Sequence, residues 1–388
     1  MKKPRILLCV CGGIAAYKAI DLASKLYKIG YDIRTVLTEA ANKFVSPVNF
    51  SAITHGEVYS TLWYENDAIP HINLADWADL IIVAPASANT IAKAAHGIAD
   101  NLLSSIILAY TKPILWVPAM NVHMYQNQAT IDNIALLHKR GHFIIEPDTG
   151  LLACAYSGKG KYPPNEELVF AIRTYLQYGR DLKGIKALVS AGATKEAIDP
   201  MRFISNRSSG KMGLSLARAL CLRGAEVTLV YGAISTELPY YLNDAIEAVS
   251  VEEMHKEMIA HFQQCNWVFM CAAVSDYKPE SYSSEKIKKG KDLCIKLRST
   301  KDILQELGET KAPGQKLIGF AAETSDIVKN AKLKLQKKNL DIIVANHLNN
   351  AGKDTNEITV LSCDSSSQTA QGDKFDLAHK IVDITKKS

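Results

Sequence analysis

Apolar runs and helically spaced apolar positions alternate along this chain, and the alternation begins twice in the same way. Residues 5–10 (RILLCV) give an unbroken strand pattern, followed by the turn Cys11-Gly12-Gly13. Across 14–28 the apolar positions Ile14, Tyr17, Ile20, Leu22 and Leu26 fall close to one broad helical face; Gly30 then precedes a second strand pattern at 31–38. The second half opens likewise, with a strand at 186–190, a glycine-bearing loop, a helix at 214–223, Gly224 and a strand at 226–231. Each half also carries a tryptophan heading a very apolar strand, at 77–85 and 267–274. Near-continuous apolar strands alternating with helices predict parallel sheets covered on both faces. The expected fold is α/β, with two doubly wound, Rossmann-like domains, 1–180 and 181–388, joined near 178–184.

Length agrees with that division, since 388 residues suffice for two domains with separate cores. No apolar run approaches the roughly 20 residues that span a bilayer. The basic start runs into strand 5–10 and a helical pattern, so it reads as a first strand and not as a signal peptide. Eight cysteines form no CxxC pair, which supports neither a zinc site nor a redox motif. Cys9, Cys11 and Cys271 lie in apolar runs as small buried hydrophobes, an expectation that favours a cytoplasmic location. The net charge of +5 is mild, and no aromatic-interleaved basic stripe points to nucleic acid.

Open parallel sheets bind ligands beyond the carboxyl ends of their strands. That rule selects the loops after Val10, Leu37, Ala84, Val117, Ser190 and Ala273. No GxGxxG is present and no acidic residue ends the second strand, so a mononucleotide fits better than a dinucleotide. The stretch 192–213 is the most informative loop. Asn206, Ser208 and Ser209 precede Gly210 and Lys211 at a predicted helix start. Backbone N–H groups there, a glycine that lets ligand approach and a cation make an anion site. Ser205 stands where a Walker A loop needs its first glycine, so the site is of another kind.

In the first half, Gly12-Gly13 at a strand-to-helix turn admits either phosphate or a simple tight connection. Ser87 and Asn89 follow the third apolar strand, and Ser104 adds a hydroxyl. His71, Asn121 and Cys154 complete the polar set. Taken singly each has a plainer reading. A lone histidine before Trp77 is more often a surface or capping residue. Asn121 fits as a helix cap, and Cys154 as a structural thiol.

Taken together, Gly-Gly-Ile-Ala-Ala-Tyr-Lys18, the His71 segment, Pro-Ala-Met-Asn121-x-x-Met and the Ala-Cys154 loop resemble the flavin-containing cysteine decarboxylases. They resemble in particular the 4′-phosphopantothenoylcysteine decarboxylases. The second half resembles the phosphopantothenate–cysteine ligases through residues 196–213, Ala-Ala-Val-Ser-Asp276-Tyr, Lys286-Ile-Lys-Lys289 and Gly-Phe320-Ala-Ala-Glu-Thr324. Nearly the whole chain is covered, as in the bifunctional enzymes of coenzyme A biosynthesis.

The resemblance implies a flavodoxin-like first domain and a nucleotide-binding ligase domain. For the ligase it implies that CTP and Mg²⁺ activate 4′-phosphopantothenate as an acyl-cytidylate, which cysteine then captures. Asn206 would hold that intermediate and Lys286 would reach the transferring centre from a flexible flap. Met270, Cys271, Ala272, Asp276, Lys301, Asp302, Ile303, Leu304, Phe320, Lys334 and Lys338 would bind the nucleotide, while no metal ligands are specified. For the decarboxylase it implies FMN held by Gly12, Gly13, Thr38, Ser87, Asn89 and Ser104, with oxidation of the cysteinyl moiety making its carboxylate labile. His71 would be the base, Asn121 would hold the substrate carboxylate, and Cys154 would assist the final reduction or protonation. It further implies a homo-oligomer, with trimers grouping into a dodecamer through the first domain and dimers through the second. Ala155, Lys161 and Tyr162 depart from the family's glycine, arginine and methionine. Ala155 should exclude glycine's conformations, and Lys161 lacks the planar fork of arginine. A peptidyl-cysteine decarboxylase would not need Asp276 or Lys286, and a non-catalytic flavin-binding regulator would not need His71, Asn121 and Cys154 together.

Overall fold

The two apolar series become two parallel sheets. The computed structural model describes residues 3–64, 68–153, 155–242, 244–290, 293–323, 326–347, 352–364 and 366–388. The chain divides into two units, Met1–Leu176 and Gln177–Ser388.

In the first unit the strands are β1 (Arg5–Val10), β2 (Asp32–Leu37), β3 (Val58–Tyr59), β4 (Leu80–Ala86), β5 (Leu115–Pro118) and β6 (Phe143–Ile144), with a hairpin of β7 (Asp148–Leu151) and β8 (Ser157–Lys161). The sheet runs β3-β2-β1-β4-β5-β6, every pair parallel. Apart from the two-residue edge strand β3, this is the flavodoxin-like order, whose switch point lies between β1 and β4. Alternate β1 residues face opposite sides, yet Ile6, Leu7, Leu8 and Cys9 are all fully buried, so helices cover both faces. Leu7, Cys9, Ile81 and Val83 pack with Leu74, Ile91 and Ile106 from three helices on one side. The first helix, Ala16–Ile29, begins two residues later than its periodicity suggests and ends on Gly30 in the left-handed conformation, φ 103°. Trp77 ends a helix, Pro70–Trp77, and does not head the strand.

The second unit contains β9 (Lys186–Ala191), β10 (Lys195–Ala197), β11 (Phe203–Ser205), β12 (Glu226–Tyr231), β13 (Asp244–Glu247), β14 (Trp267–Met270), β15 (Tyr277–Pro279), β16 (Leu297–Ser299), β17 (Lys316–Glu323), β18 (Ile342–His347), β19 (Thr355–Ser362) and β20 (Ser367–Asp373). Its main sheet runs β13-β12-β9-β14-β17-β18-β19-β20. The first six are parallel, with the switch point between β9 and β14, and β19 and β20 add antiparallel. The expected echo thus holds for the parallel strands, and the antiparallel extension is new. Polar, exposed positions along β20 give it no apolar run to announce it. The long loop 192–213 is not open coil, because β10 and β11 pair antiparallel within it. Helix Lys211–Leu222 lies tightly on β9, where a Cβ on Gly213 would sit 2.6 Å from the Ala191 Cβ and 2.9 Å from the Ser190 carbonyl oxygen.

Arg223 is an internal anchor of this unit. It is 1% exposed, pairs with Asp181 at 2.7 Å and Asp383 at 2.6 Å, and lies 4.1 Å over the Tyr178 ring. Among the described residues no helix is long and apolar enough to cross a membrane, and the seven described cysteines are all free.

Two candidate active sites

The first site opens at the β1/β4 switch point. A cavity of about 570 Å³ is lined by Gly12, Gly13 and Lys18 after β1, Pro85 and Ser87 at the end of β4, Asn121 after β5, and Leu151, Lys161 and Tyr162 from the hairpin. That size is ordinary for a cofactor pocket. Helix Ala16–Ile29 points its N-terminus here with no side-chain cap, which leaves its first donors to other partners. The two glycines do different jobs. A Cβ on Gly12 would meet the Ala40 Cβ at 2.5 Å, so Gly12 permits close packing of the β2 loop, whereas Gly13 faces open space.

Two cations share this cavity. Burial pushes the Lys18 pKa down, and the neighbouring Lys161 charge adds to that, with Asp148 opposing. Like charges held together in a partly desolvated space favour an anionic ligand. Lys18 lies 5.4 Å over the Tyr162 ring. Tyr162 is 3% exposed, and burial drives its phenol well above the ordinary value. Ser87 caps the next helix by accepting from the Thr90 N–H at 3.3 Å, and Asn121 caps a short one by accepting from the His123 N–H at 2.8 Å. Both the plain and the functional expectation for Asn121 therefore apply, since the cap aims a residue that also lines the cavity.

Thr38, His71, Asn89 and Ser104 do not line this cavity. Ser104 is buried and its hydroxyl is engaged by Asn101 in a capping box. Asn89 is exposed on the helix Ala88–His96. His71 lies in the first turn of Pro70–Trp77, and its buried Nδ1 has no hydrogen-bond partner among the described residues. Cys154 lies outside the described residues. Next to it, Ala155 departs from expectation. It adopts φ 62°, the left-handed conformation that favours glycine, because its N–H must turn back to the Leu152 carbonyl at 3.0 Å.

The second site lies at the corresponding end of β9 and β14. A smaller cavity of about 200 Å³ is lined by Ser208, Ser209, Gly210, Lys211, Cys271, Ala272, Phe320 and Lys374. Gly210 takes φ 75° at the helix start, and a Cβ there would strike the Ile234 Cγ2 at 2.5 Å. Burial pushes the Cys271 thiol up to about 12, so it stays protonated. Asn206 donates its amide to the carbonyls of Val274 at 3.0 Å and Ala273 at 3.4 Å, which fixes it across the switch point. Met270 is buried and touches the Ser190 hydroxyl through sulfur, beneath the cavity floor.

The remaining predicted nucleotide residues are not in this lining, although Lys334 reaches it through Phe320. Lys334 donates to the Phe320 carbonyl at 3.2 Å, and Lys338 pairs with Asp302 at 2.8 Å. Asp302 caps the helix that begins Ile303-Leu304, both of which are buried packing residues. Lys301 and Asp276 are exposed. Lys286 is exposed too, next to a residue, Ile287, whose backbone is held on Asp199 and Arg202. Asp199, with a fully buried side chain, accepts from the Ile287 N–H at 3.1 Å and from Arg202 Nη1 at 2.6 Å. Arg202 also donates to the Ile287 carbonyl at 3.0 Å. Burial pushes the Asp199 carboxyl up, but its hydrogen bonds from Met201, Ile287 and Arg202 prevail and hold it below the usual range. Lys18, Asp199 and Lys374 carry site geometry that sequence reasoning missed. Lys18 and Asp199 stood inside quoted motifs without a role, and Lys374 stood in a tail with no motif.

Fold and sites define a two-domain α/β protein with a cation-lined ligand cavity at each switch point. A flavoprotein family model matches residues 1–177, and a DNA/pantothenate metabolism flavoprotein C-terminal domain model matches 182–387. The coenzyme A biosynthesis bifunctional protein CoaBC of Bacillus subtilis is 45% identical over 364 residues, covering 92% of this chain and 89% of that protein. A solved C-terminal domain of a protein of that name is 35% identical, with a TM-score of 0.47, over 54% of this chain and 97% of its own. A PPC decarboxylase variant solved with pantothenoylaminoethenethiol is 31% identical, with a TM-score of 0.41, over 45% of this chain and 100% of its own. The chain belongs to the bifunctional coenzyme A biosynthesis family.

Proposed function

We propose that the second unit joins cysteine to 4′-phosphopantothenate at the expense of CTP, and that the first unit decarboxylates the resulting 4′-phosphopantothenoylcysteine with FMN. Family membership supports the two activities, ligase and decarboxylase. The observation that carries the reading is the matched pair of switch-point cavities, each with two lysines and a helix N-terminus suited to phosphorylated ligands.

In the ligase step the acid's carboxylate attacks the α-phosphate of CTP and expels pyrophosphate. The cysteine amine then attacks the acyl carbon and CMP leaves. Such transfers need stabilisation of phosphate charge more than a protein nucleophile. Lys286 supplies that charge, positioned through the anchor on Asp199. Lys334 and Lys338, with Asp276, Lys301 and Asp302, hold the nucleotide, and Mg²⁺ accompanies its phosphates. With its nitrogen committed to Val274 and Ala273, Asn206 meets the intermediate through its amide oxygen.

The first cavity fits FMN: Gly13 is open, the helix above it is uncapped, and Ile14, Met124 and Leu151 offer an apolar wall. FMN, when bound, supplies the two-electron redox chemistry that labilises the cysteine carboxylate. Gly12, Gly13 and Ser87 hold its phosphate side, Asn121 orients the substrate carboxylate, and His71 moves the proton. The remaining cofactor contacts of the family pattern fall on Thr38, Asn89 and Ser104, and Cys154 acts at the last reduction or protonation. The site is completed by a second copy of the chain. In support, His71 Nδ1 is buried without a partner among the described residues, while Trp63, Ile69 and Ile72 nearby in sequence are exposed at 85%, 50% and 37%. Incubation with 4′-phosphopantothenate, cysteine, CTP and Mg²⁺ should yield 4′-phosphopantetheine, CMP and CO₂ by mass spectrometry. No CTP-dependent product would overturn the reading.

A further inference from the structure

The tip of the β10–β11 hairpin holds more hydrogen bonds than a turn requires. Asp199-Pro200 opens it as aspartate and proline open a tight turn, and the Ile198 and Asp199 N–H groups close it on the Arg202 carbonyl at 2.8 and 3.3 Å. The Asp199 carboxylate accepts from the N–H groups of Met201 and Arg202, both at 2.8 Å, which is ordinary turn chemistry. It also accepts from Arg202 Nη1 at 2.6 Å and from the Ile287 N–H at 3.1 Å, 88 residues further on. Arg202 Nη1 reaches the Ile287 carbonyl at 3.0 Å, and the Ser283 N–H reaches the Ile198 carbonyl at 3.0 Å. Both backbone polar groups of Ile287 are therefore engaged by the hairpin tip, directly beside Lys286. An asparagine or serine would serve the turn equally well. A fully buried carboxylate is costly, and what it adds is a charge-assisted hold on Arg202 and on the Lys286 segment.

The other end of the hairpin is fixed as well. Strand β11 ends at Ser205, and the next residue, Asn206, is tied to Val274 and Ala273 across the switch point. One short hairpin thus leads from Asn206 to the backbone that carries Lys286. A lysine within a solvated, lysine-rich run would otherwise have to order its backbone during the reaction. Ordering one residue beforehand is worth about tenfold in rate.

We propose that Asp199 is a positioning residue for the first half-reaction of the ligase, docking the backbone beside Lys286 on the hairpin that leads to Asn206, so that Lys286 is set for the α-phosphate of CTP before the acid attacks. The inference rests on the ligase reading above. Asp199→Asn, Lys286→Met and the double variant test it in the full-length protein. Asparagine fills the same space but turns an NH₂ towards one of its two donors. Pyrophosphate release without cysteine reads the first half-reaction, and CMP release from supplied acyl-cytidylate with cysteine reads the second. Asp199→Asn should slow the first about tenfold in kcat, with the KM for CTP and the second half-reaction unchanged. In the Lys286→Met background it should cost less than about twofold, because the group it positions is gone. Equal slowing of both half-reactions, or the same tenfold loss without Lys286, would overturn the proposal. Trypsin supplies a test that needs no variant. The parent's Lys286–Ile287 bond, whose N–H is held by Asp199, should be cut about tenfold more slowly than Lys289–Gly290, each rate taken relative to the same bond in a free peptide of residues 278–296. Asp199→Asn should abolish that difference. Equal relative cleavage in the parent would overturn the proposal even if the variant failed to fold. A parent that is protected at Lys286–Ile287 yet releases no pyrophosphate would sink the ligase reading itself, a separate result.

Discussion

The two units solve the same topological problem with different closures. Each places a helix N-terminus and two lysines at the switch point of a parallel sheet. In the first, the hairpin β7–β8 closes a roomy cavity of about 570 Å³ whose wall includes the exposed Ile14, Met124 and Leu151. In the second, the start of the C-terminal helix and the tightly packed Gly210–Gly213 turn border a cavity of about 200 Å³ in which Lys211 and Lys374 stand among apolar Cys271, Phe320 and Ile358. The difference teaches that ligand size is set by what covers the switch point and not by the sheet beneath. A large apolar wall suits an aromatic cofactor.

Substitutions confined to one unit should break one chemistry and spare the other. The largest effect is expected from His71→Asn, which should lower CO₂ release from supplied 4′-phosphopantothenoylcysteine by about 10³-fold. FMN absorbance and CTP-dependent ligation should persist. Unchanged CO₂ release would remove His71 as the base. Lys286→Met should cut CTP-dependent pyrophosphate release by about 10²-fold and leave decarboxylation intact; equal loss in both assays would mean the units are not chemically separate.

A third substitution separates the units by stability. Asp181→Asn leaves the buried Arg223 with one carboxylate fewer and should destabilise the second unit by about 3 kcal/mol, read by urea denaturation. Burial pushes the Asp181 carboxyl up, but hydrogen bonds from Arg223 and Lys386 prevail and hold it at about 2. A depressed carboxylate contributes its stability above the unfolded value of about 3.9 and loses it as pH falls through about 2. The parent should therefore lose stability across that window, and the Asn variant should lose less. An identical acid limb in both would show that the pair does not govern it. The smallest effect is expected from Ala155→Gly, which relieves a left-handed alanine at φ 62°. The gain of about 1–2 kcal/mol is offset by glycine's extra unfolded-state entropy of up to about 1 kcal/mol. A shift in melting temperature of a few degrees at most, with faster decarboxylation turnover, would mark the loop as strained; slower turnover would show that the strain serves the clamp.

The parallel strands were legible because burial on both faces leaves a continuous apolar signature, as in β4, where every position is buried. The site loops were legible because strand ends name them in advance. Two features were not. The outer strand β20 was one, since it is mostly exposed and no hydrophobic pattern is demanded of it. The anchor beside Lys286 was the other, because it joins the backbone of Ile287 to Asp199, 88 residues away, and a backbone contact leaves no side-chain signal.

By itself the sequence determined the two α/β halves, the glycine-bearing turns at the strand ends and the family's polar residues, because local periodicity and turn chemistry are written residue by residue. Only the tertiary structure decided that Lys18 meets Lys161, that Ala155 is left-handed, and that Lys374 is buried beside Lys211. Those facts depend on which distant segments share one desolvated space, and desolvation is a property of the packed chain.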